Sequence, residues 1–197
     1  MCKTVIFTAF ALFVASVRAQ APSVRTGSIS VWSGSLIYSY GTDSLKSVDF
    51  RNLKYAFGGD TFTLRNGSYS RKYKGNGGID ARLENVWLFD EINGVPKHAL
   101  VSVDVVTFGG SSSPNGYVLL FEILNGHLVE TQEFGYNAQA PGTGASFDTS
   151  TGKLMITGRS DDGTPNCCPK KLDVANFLWN ASHFEALGYR AEPVREK

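Results

Sequence analysis

The sequence predicts an all-β fold: a single antiparallel, hairpin-rich sheet that forms a sandwich or a partly open barrel. Three observations support this class. Short segments that alternate apolar and polar residues recur about every 8–12 residues. Turn residues separate them, among them Asn-Gly pairs, which favour two-residue hairpins because both central residues of that turn need positive φ. No amphipathic pattern predicts a helix longer than about ten residues.

The start of the chain falls into two segments. Residues 1–19 resemble a secretory signal peptide, with Lys3 before an apolar run and Val17-Arg18-Ala19 as a small-residue cleavage pattern. A buried N-terminal strand or helix is the alternative. Residues 20–47 mix Ser, Gly and Thr with short apolar pieces, which predicts either a mobile leader or an edge hairpin that turns at Ser33-Gly34.

One all-β domain is predicted over residues 48–187, and its first half contains three predicted features. Val48–Tyr55 alternates apolar and polar residues, as a half-buried strand does. Asn66-Gly67 lies between two alternating runs and predicts a hairpin over residues 62–73. Residues 79–92 favour a strand over a short helix.

The second half of the domain continues the pattern. His98–Phe108 is β-branched and apolar at almost every second position, which predicts a strand. A second Asn-Gly hairpin is predicted over residues 117–134. The remaining predictions are loops over 109–116 and 137–144, a turn over 147–154, strands over 172–178 and 183–187, and a charged, frayed tail over 188–197.

Composition and charge exclude several classes of protein. The chain has 19 Lys and Arg against 18 Asp and Glu, and without residues 1–19 its formal charge would be about −1. Such a balance is not that of a basic nucleic-acid binder, a disordered polyelectrolyte or a coiled coil. All 21 glycines follow residue 19, where they make up about 12% of the chain against ~7% in an average protein. A compact, turn-rich domain is therefore expected.

The lengths of the apolar stretches indicate where in or outside the cell the protein resides. The run before Val17-Arg18-Ala19 is shorter than the ~20 residues of a membrane-spanning helix, and no later stretch reaches that length. We therefore expect an exported protein, periplasmic or extracellular, without a transmembrane segment.

The most unusual motif is Cys167-Cys168-Pro169. Once Cys2 leaves with the signal peptide, two adjacent cysteines remain. Their Cα atoms would be about 3.8 Å apart, below the usual ~4.4–6.8 Å of a disulfide. A bond between them would form a strained ring that closes almost no loop. Four roles are open to the two cysteines. They could form a redox-responsive ring, bind a soft metal as a dithiolate, bond to another molecule, or stiffen the turn before Pro169.

Other chemistry-bearing residues form no recognised motif. The sequence has no G-x-S-x-G, H-E-x-x-H, phosphate loop or dinucleotide fingerprint, and no C-x-x-C. His98, His127 and His183 lie far apart, and Asp161-Asp162-Gly163 lacks the ligand alternation of an EF-hand. The 24 Phe, Tyr and Trp residues could line a groove for a glycan or peptide, or fill the core. We therefore predict no catalytic, metal or cofactor residue.

Several segments together resemble a group of uncharacterised secreted bacterial proteins with a terminal CCP turn. They are Val48–Tyr55, residues 62–67, Cys167-Cys168-Pro169-Lys170 and residues 177–180. The last part is also similar to the carboxy-terminal part of LppP/LprE-type bacterial lipoproteins, without their lipid anchor. The resemblance covers roughly residues 48–187. It implies export and a bacterial envelope setting, and no established activity.

The same resemblance implies an acidic segment, GD-x-x-GDG-x-x-EA, reminiscent of the acidic loops of FG-GAP-type repeats. The corresponding segment here is residues 89–99. Asp90 and Ala99 match it, but Gly94 and His98 replace an Asp and a Glu. The chain thus departs from a cation-binding pattern.

These observations lead to one expected function and two alternatives. We expect an exported, non-catalytic binding or envelope-associated module whose partner is an extracytoplasmic protein or a glycan. A thiol or redox protein that acts through Cys167 and Cys168 is the first alternative. The second is a hydrolase whose dispersed site leaves no local motif.

Overall fold

The computed structural model describes residues 24–57, 60–73, 75–109, 113–161, 163 and 169–194. The predicted signal peptide over residues 1–19, and Cys167 and Cys168, lie outside these residues. In chain order the strands are β1 (Val24–Thr26), β2 (Ile29–Gly41), β3 (Lys54–Phe57), β4 (Asp60–Thr63), β5 (Ser68–Lys72), β6 (Gly78–Ile92), β7 (Val95–Phe108), β8 (Ser113–Leu124), β9 (His127–Asn137), β10 (Gly144–Asp148), β11 (Lys153–Arg159), β12 (Lys171–Trp179) and β13 (Phe184–Pro193). A 3-10 helix, Leu45–Ser47, follows β2.

The strands form three antiparallel sheets, so the all-β prediction is confirmed. The seven-stranded sheet has the order β1-β2-β9-β8-β7-β6-β5 and is strongly curled into a half-barrel. The four-stranded sheet has the order β10-β11-β12-β13, and β3 pairs with β4 in a two-stranded sheet. The expectation of a single sheet was too simple.

The seven-stranded sheet is buried on both faces. On one face, Ala99, Val101 and Val103 of β7 pack in a core with the 3-10 helix and the β3–β4 pair. On the other face, Leu100 joins a second core with the four-stranded sheet. Antiparallel sheets commonly leave one face in water. Here both faces of β7 are covered, so its residues are buried without a break from His98 to Val103. Burying one of its Val or Leu side chains contributes about 1.5–3 kcal/mol.

The Asn-Gly turns follow the predicted backbone geometry. Asn125 and Gly126 have φ of 50° and 75° and connect β8 to β9, which confirms the hairpin over residues 117–134. Asn93 and Gly94, with φ of 53° and 74°, connect β6 to β7 in the same way. The strands predicted over residues 79–92 and 98–108 are confirmed as β6 and β7.

The edge hairpin predicted within residues 20–47 exists as β1 and β2, but the chain turns at Gly27-Ser28. Ser33-Gly34 is no turn, because β2 continues through it with a bulge between Ser33 and Leu36. Val31, before the bulge, packs into the core with the four-stranded sheet, whereas Tyr38, after it, packs into the opposite core. Such a separation of seven residues is the ordinary alternation of a strand, so β2 buries one face before the bulge and the opposite face after it. A strand whose buried face changes in this way has the sequence pattern of two short strands.

Two neighbouring predictions also need correction. Most of Val48–Tyr55 is a loop, since β3 begins only at Lys54, although Phe50 and Tyr55 are buried. Asn66-Gly67 does form a turn, but β4 pairs with β3 and β5 pairs with β6. The alternation of apolar and polar residues therefore predicted burial correctly, but the strand pairing predicted from it was wrong.

The ends of two other elements differ from the sequence predictions. Residues 188–193, predicted to be part of a frayed tail, extend β13 and pair with β12 as far as Pro193. The predicted loop over 109–116 is shorter, because β8 begins at Ser113. Exposed charged residues thus continue an edge strand that the composition alone did not predict.

Candidate functional site

The candidate site surrounds the turn from β12 to β13, at one end of the two packed sheets. The turn follows Trp179 and ends before Phe184, and both rings join a cluster around Phe89 of β6. The Phe89 ring centre lies 5.1 Å from that of Trp179 and 6.0 Å from that of Phe184. Phe147 of β10 lies 4.7 Å from Phe89. The aromatic cluster therefore fixes the start of β13 against the seven-stranded sheet.

The turn itself is held by Asn180. Its backbone N–H donates to His183 O (3.1 Å), and its side-chain Oδ1 accepts from the His183 N–H (3.1 Å). Ala181 has φ of 72°, in the left-handed region that suits glycine better. An asparagine that accepts from backbone N–H groups favours such a tight turn.

Gln132 of β9 connects the two sheets through its side-chain amide. Its Oε1 accepts from the Phe184 N–H at 2.8 Å, and its Nε2 donates to Phe184 O at 3.0 Å. Both residues are buried. The amide thus bonds to Phe184 as a neighbouring strand would.

The direction of the backbone groups of β13 follows from its pairing. The Val194 N–H donates to Lys170 O, towards β12. Because hydrogen-bonded and non-bonded pairs alternate in an antiparallel ladder, Arg190 and Glu192 also face β12, and Tyr189 and Ala191 face outward. Among the described residues the outward groups of Tyr189 and Ala191 have no hydrogen-bond partner.

Asp173 of β12 fixes this part of β13 against the β1–β2 turn. Its carboxylate accepts from Tyr189 Oη–H (2.6 Å) and from the Ser28 N–H (2.8 Å). Burial alone would raise the pKa of Asp173, but these hydrogen bonds outweigh burial and lower it. The same bond to Asp173 raises the pKa of Tyr189 to about 12. The edge of β13 is therefore held in place.

A groove of about 300 Å³ lies beside the first residues of β13. Val31 and Ser33 of β2 form one wall, and His183–Ala186 form the other, with Gln132 and Phe177 also lining the groove. Apolar walls with a few polar groups are typical of binding sites. The groove and the outward edge of β13 are continuous at Ala186.

The rim of the groove carries a serine, a histidine and a carboxylate. Ser182 Oγ lies 2.9 Å from His183 Nδ1, and His183 Nε2 lies 3.4 Å from Glu185 Oε1. In a serine hydrolase, Nε2 faces the serine and Nδ1 faces the carboxylate. Here the two nitrogens are exchanged, and the three residues are exposed neighbours in the chain. The network is better suited to holding the turn than to activating Ser182.

His98 lies on the other side of the same turn, beneath Trp179. Its ring centre is 4.5 Å from that of Trp179, and only 8% of the residue is exposed. Asp90 Oδ2 lies 3.0 Å from Nδ1, without hydrogen-bond alignment, and Glu122 Oε2 lies 3.9 Å from Nε2. Burial lowers the pKa of His98 below its usual 6.5, although both carboxylates oppose this.

The segment compared with acidic loops, residues 89–99, forms the β6–β7 hairpin. Asp90 Oδ2 faces His98 Nδ1 there. Among the described residues, no group of three or more His, Cys, Asp and Glu side chains could hold a metal ion.

The structure brings together few of the residues that the sequence singled out. His98 and His183 lie on either side of the β12–β13 turn, whereas His127 begins β9 after the Asn125-Gly126 turn. Pro169 is partly buried, and the Ser160 N–H donates to Lys171 O (3.2 Å). Cys167 and Cys168 lie outside the described residues. Gln132 and the edge of β13 were missed, because neither has a local sequence signal.

Comparisons with protein-family models, with curated proteins and with solved structures each found no match. Within the described part of the chain, no helix is long and apolar enough to span a membrane. The proposals below therefore rest on the residues and their geometry.

Proposed function

We propose that this chain is an exported, non-catalytic binding module of the bacterial envelope, and that its partner binds at the groove between β2 and β13. The observation that carries the proposal is the groove itself, which lies beside the outer edge of β13, the last strand of its sheet. Its walls combine apolar side chains with a few polar groups, as binding sites do. Export is supported by the signal-like pattern of residues 1–19.

The groove is a better candidate for binding a partner than His98 and the side chains around it. His98 is nearly buried and covered by Trp179, so a partner would have to displace the indole to reach it. In the groove, by contrast, His183 and Glu185 are about half exposed. A partner could contact these side chains without rearranging either sheet.

Site-specific photo-crosslinking tests this proposal. We would place p-benzoylphenylalanine at Ser33, in the groove, and at Ser70 of β5, an exposed serine at the opposite end of the seven-stranded sheet. Each mature protein is irradiated with an envelope fraction of the producing cell. We expect an adduct with a protein or a glycan at Ser33 that excess unlabelled protein suppresses, and none at Ser70. Equal adducts at both positions, or none at either, would refute the proposal.

A thiol or redox function of Cys167 and Cys168 is a second proposal, supported by the adjacency of two cysteines in a chain with an export pattern. Its test is alkylation with and without prior reduction, followed by intact mass. Thiols that alkylate fully without reduction, and that do not respond to oxidant, would exclude it.

A dispersed hydrolase site is the remaining alternative, and the contact between Ser182 and His183 is the observation that bears on it. Its test is ester hydrolysis by the mature protein and by the Ser182→Ala variant. We expect equal, background rates for both proteins, because the histidine nitrogens are exchanged relative to a catalytic triad. A rate that falls at least tenfold in the variant would favour the hydrolase.

A further inference from the structure

The outer edge of β13 differs from the other strand edges. β1, β5 and β10 end their sheets with only three to five residues, and β3 and β4 have four each. β2 is longer, but two irregularities interrupt its pairing after Val31. β13 has ten residues, and its pairing with β12 has one register break, at Leu187, and is regular from Gly188 to Pro193. Natural sheets usually have short or interrupted edges, because a free edge pairs with other chains.

Gln132 already occupies the first position of this edge in the way a strand would. Its amide donates to and accepts from Phe184, whose backbone groups face outward from β12. The next outward groups, those of Ala186, lie where the groove begins. A peptide that continues from Gln132 along β13 would therefore meet Ala186, Tyr189 and Ala191 in turn.

The charge of the groove favours a basic partner. Among the described residues that line it, Glu185 is the carboxylate, and no lysine or arginine is present. The Glu185 side chain is 60% exposed. Its Oε1 accepts from Asn180 Nδ2 and lies 3.4 Å from His183 Nε2, whereas Oε2 has no partner in the part of the chain that the structure describes. Opposite charges on neighbouring strands contribute roughly 0.2–1 kcal/mol, and like charges destabilise.

Resting on the proposed function, we infer that the partner is an extended peptide segment that contains a lysine or arginine. It pairs with β13 as a fifth strand of the four-stranded sheet and places its basic residue beside Glu185. Main-chain hydrogen bonds provide affinity in this mode of recognition, and alternate side chains provide specificity. A second copy of the chain is less suited to the edge, because pairing β13 with β13 would bring two register breaks together, whereas a regular peptide meets one.

The test uses synthetic octapeptides of alternating threonine and valine with two lysines, titrated into the mature protein and followed by amide NMR shifts. Three matched peptides serve as controls. In the first, glutamates replace the lysines. In the second, every amide along one edge of the extended peptide is N-methylated, and in the third, every amide along its other edge. Ala191→Pro removes an outward N–H, a change that edge strands tolerate, and Ala191→Val is its matched control.

We expect the lysine peptide to shift the amides of Ala186, Tyr189 and Ala191. Methylation of one edge, the glutamate exchange and Ala191→Pro should each weaken binding at least tenfold, whereas methylation of the other edge and Ala191→Val should not. Binding that tolerates methylation of both edges, shifts elsewhere, or no binding would overturn the inference, as would sedimentation as a β13-paired dimer. If crosslinking at Ser33 still yields an adduct, the proposed function stands and only the extended-strand partner is refuted.

Discussion

Gln132 is the residue on which the junction between the two sheets most depends. It comes from β9, its partner Phe184 lies 52 positions further along the chain, and both ends of its amide are used. The sequence around it offers no indication of this role, because a glutamine in a strand usually faces solvent. Its function depends on a residue that only the folded chain brings near.

Replacement of Gln132 by leucine should destabilise the protein. The change leaves the buried N–H and C=O of Phe184 without partners, which costs about 1–3 kcal/mol. Urea unfolding of the variant and the parent protein measures this difference in the free energy of unfolding. A difference within about 0.5 kcal/mol, the range of ordinary surface substitutions, would contradict the role assigned to Gln132.

His98 should make stability sensitive to mild acid. Since burial lowers its pKa in the folded protein below 6.5, the unfolded chain takes up the proton first as the pH falls. The free energy of unfolding should therefore decrease as the pH falls below about 6.5, the value expected for an unfolded histidine. Urea unfolding between neutral pH and pH 5 should show a smaller decrease in His98→Gln. An identical decrease in both proteins would exclude His98 as its source.

At the scale of elements, local alternation and turn chemistry were enough for β6, β7 and the β8–β9 hairpin. These strands pair with their neighbours in sequence, so the information that specifies them is local. β2 was missed because the face that it buries changes partway along the strand, and β4 and β5 were misassigned because they belong to different sheets. Which strand pairs with which depends on the tertiary structure, and the alternation of apolar and polar residues does not indicate it.

A glycine in β8 makes close packing between two strands possible. A Cβ on Gly116 would lie 1.9 Å from Cζ of Tyr136, its partner in β9. Gly116→Ala should therefore displace a buried tyrosine ring and lower the free energy of unfolding by about 1–3 kcal/mol. Gly188→Ala is the matched control, since its Cβ would meet no atom within 4 Å. Equal stability of both variants in urea unfolding would contradict this packing.

At the scale of the whole molecule, the account depends on export and on the state of the two cysteines. The mass of the protein recovered from the producing cell, measured without reduction, reports on both. We expect a chain that begins at Gln20, since residues 17–19 form the cleavage pattern. A chain that still contains Met1 would contradict export, and a dimer lost on reduction would show that the cysteines pair between molecules.

The central claim is that the outward edge of β13 is a binding surface, and amide hydrogen exchange of the mature protein tests it most directly. In the free protein, the outward N–H groups of Tyr189 and Ala191 should exchange fast, and those of Arg190 and Glu192, which face β12, slowly. With the lysine octapeptide in excess, Tyr189 and Ala191 should become protected, whereas Arg190 and Glu192 change little. Equal exchange of all four in the free protein, or no protection of Tyr189 and Ala191 by the peptide, would contradict the account.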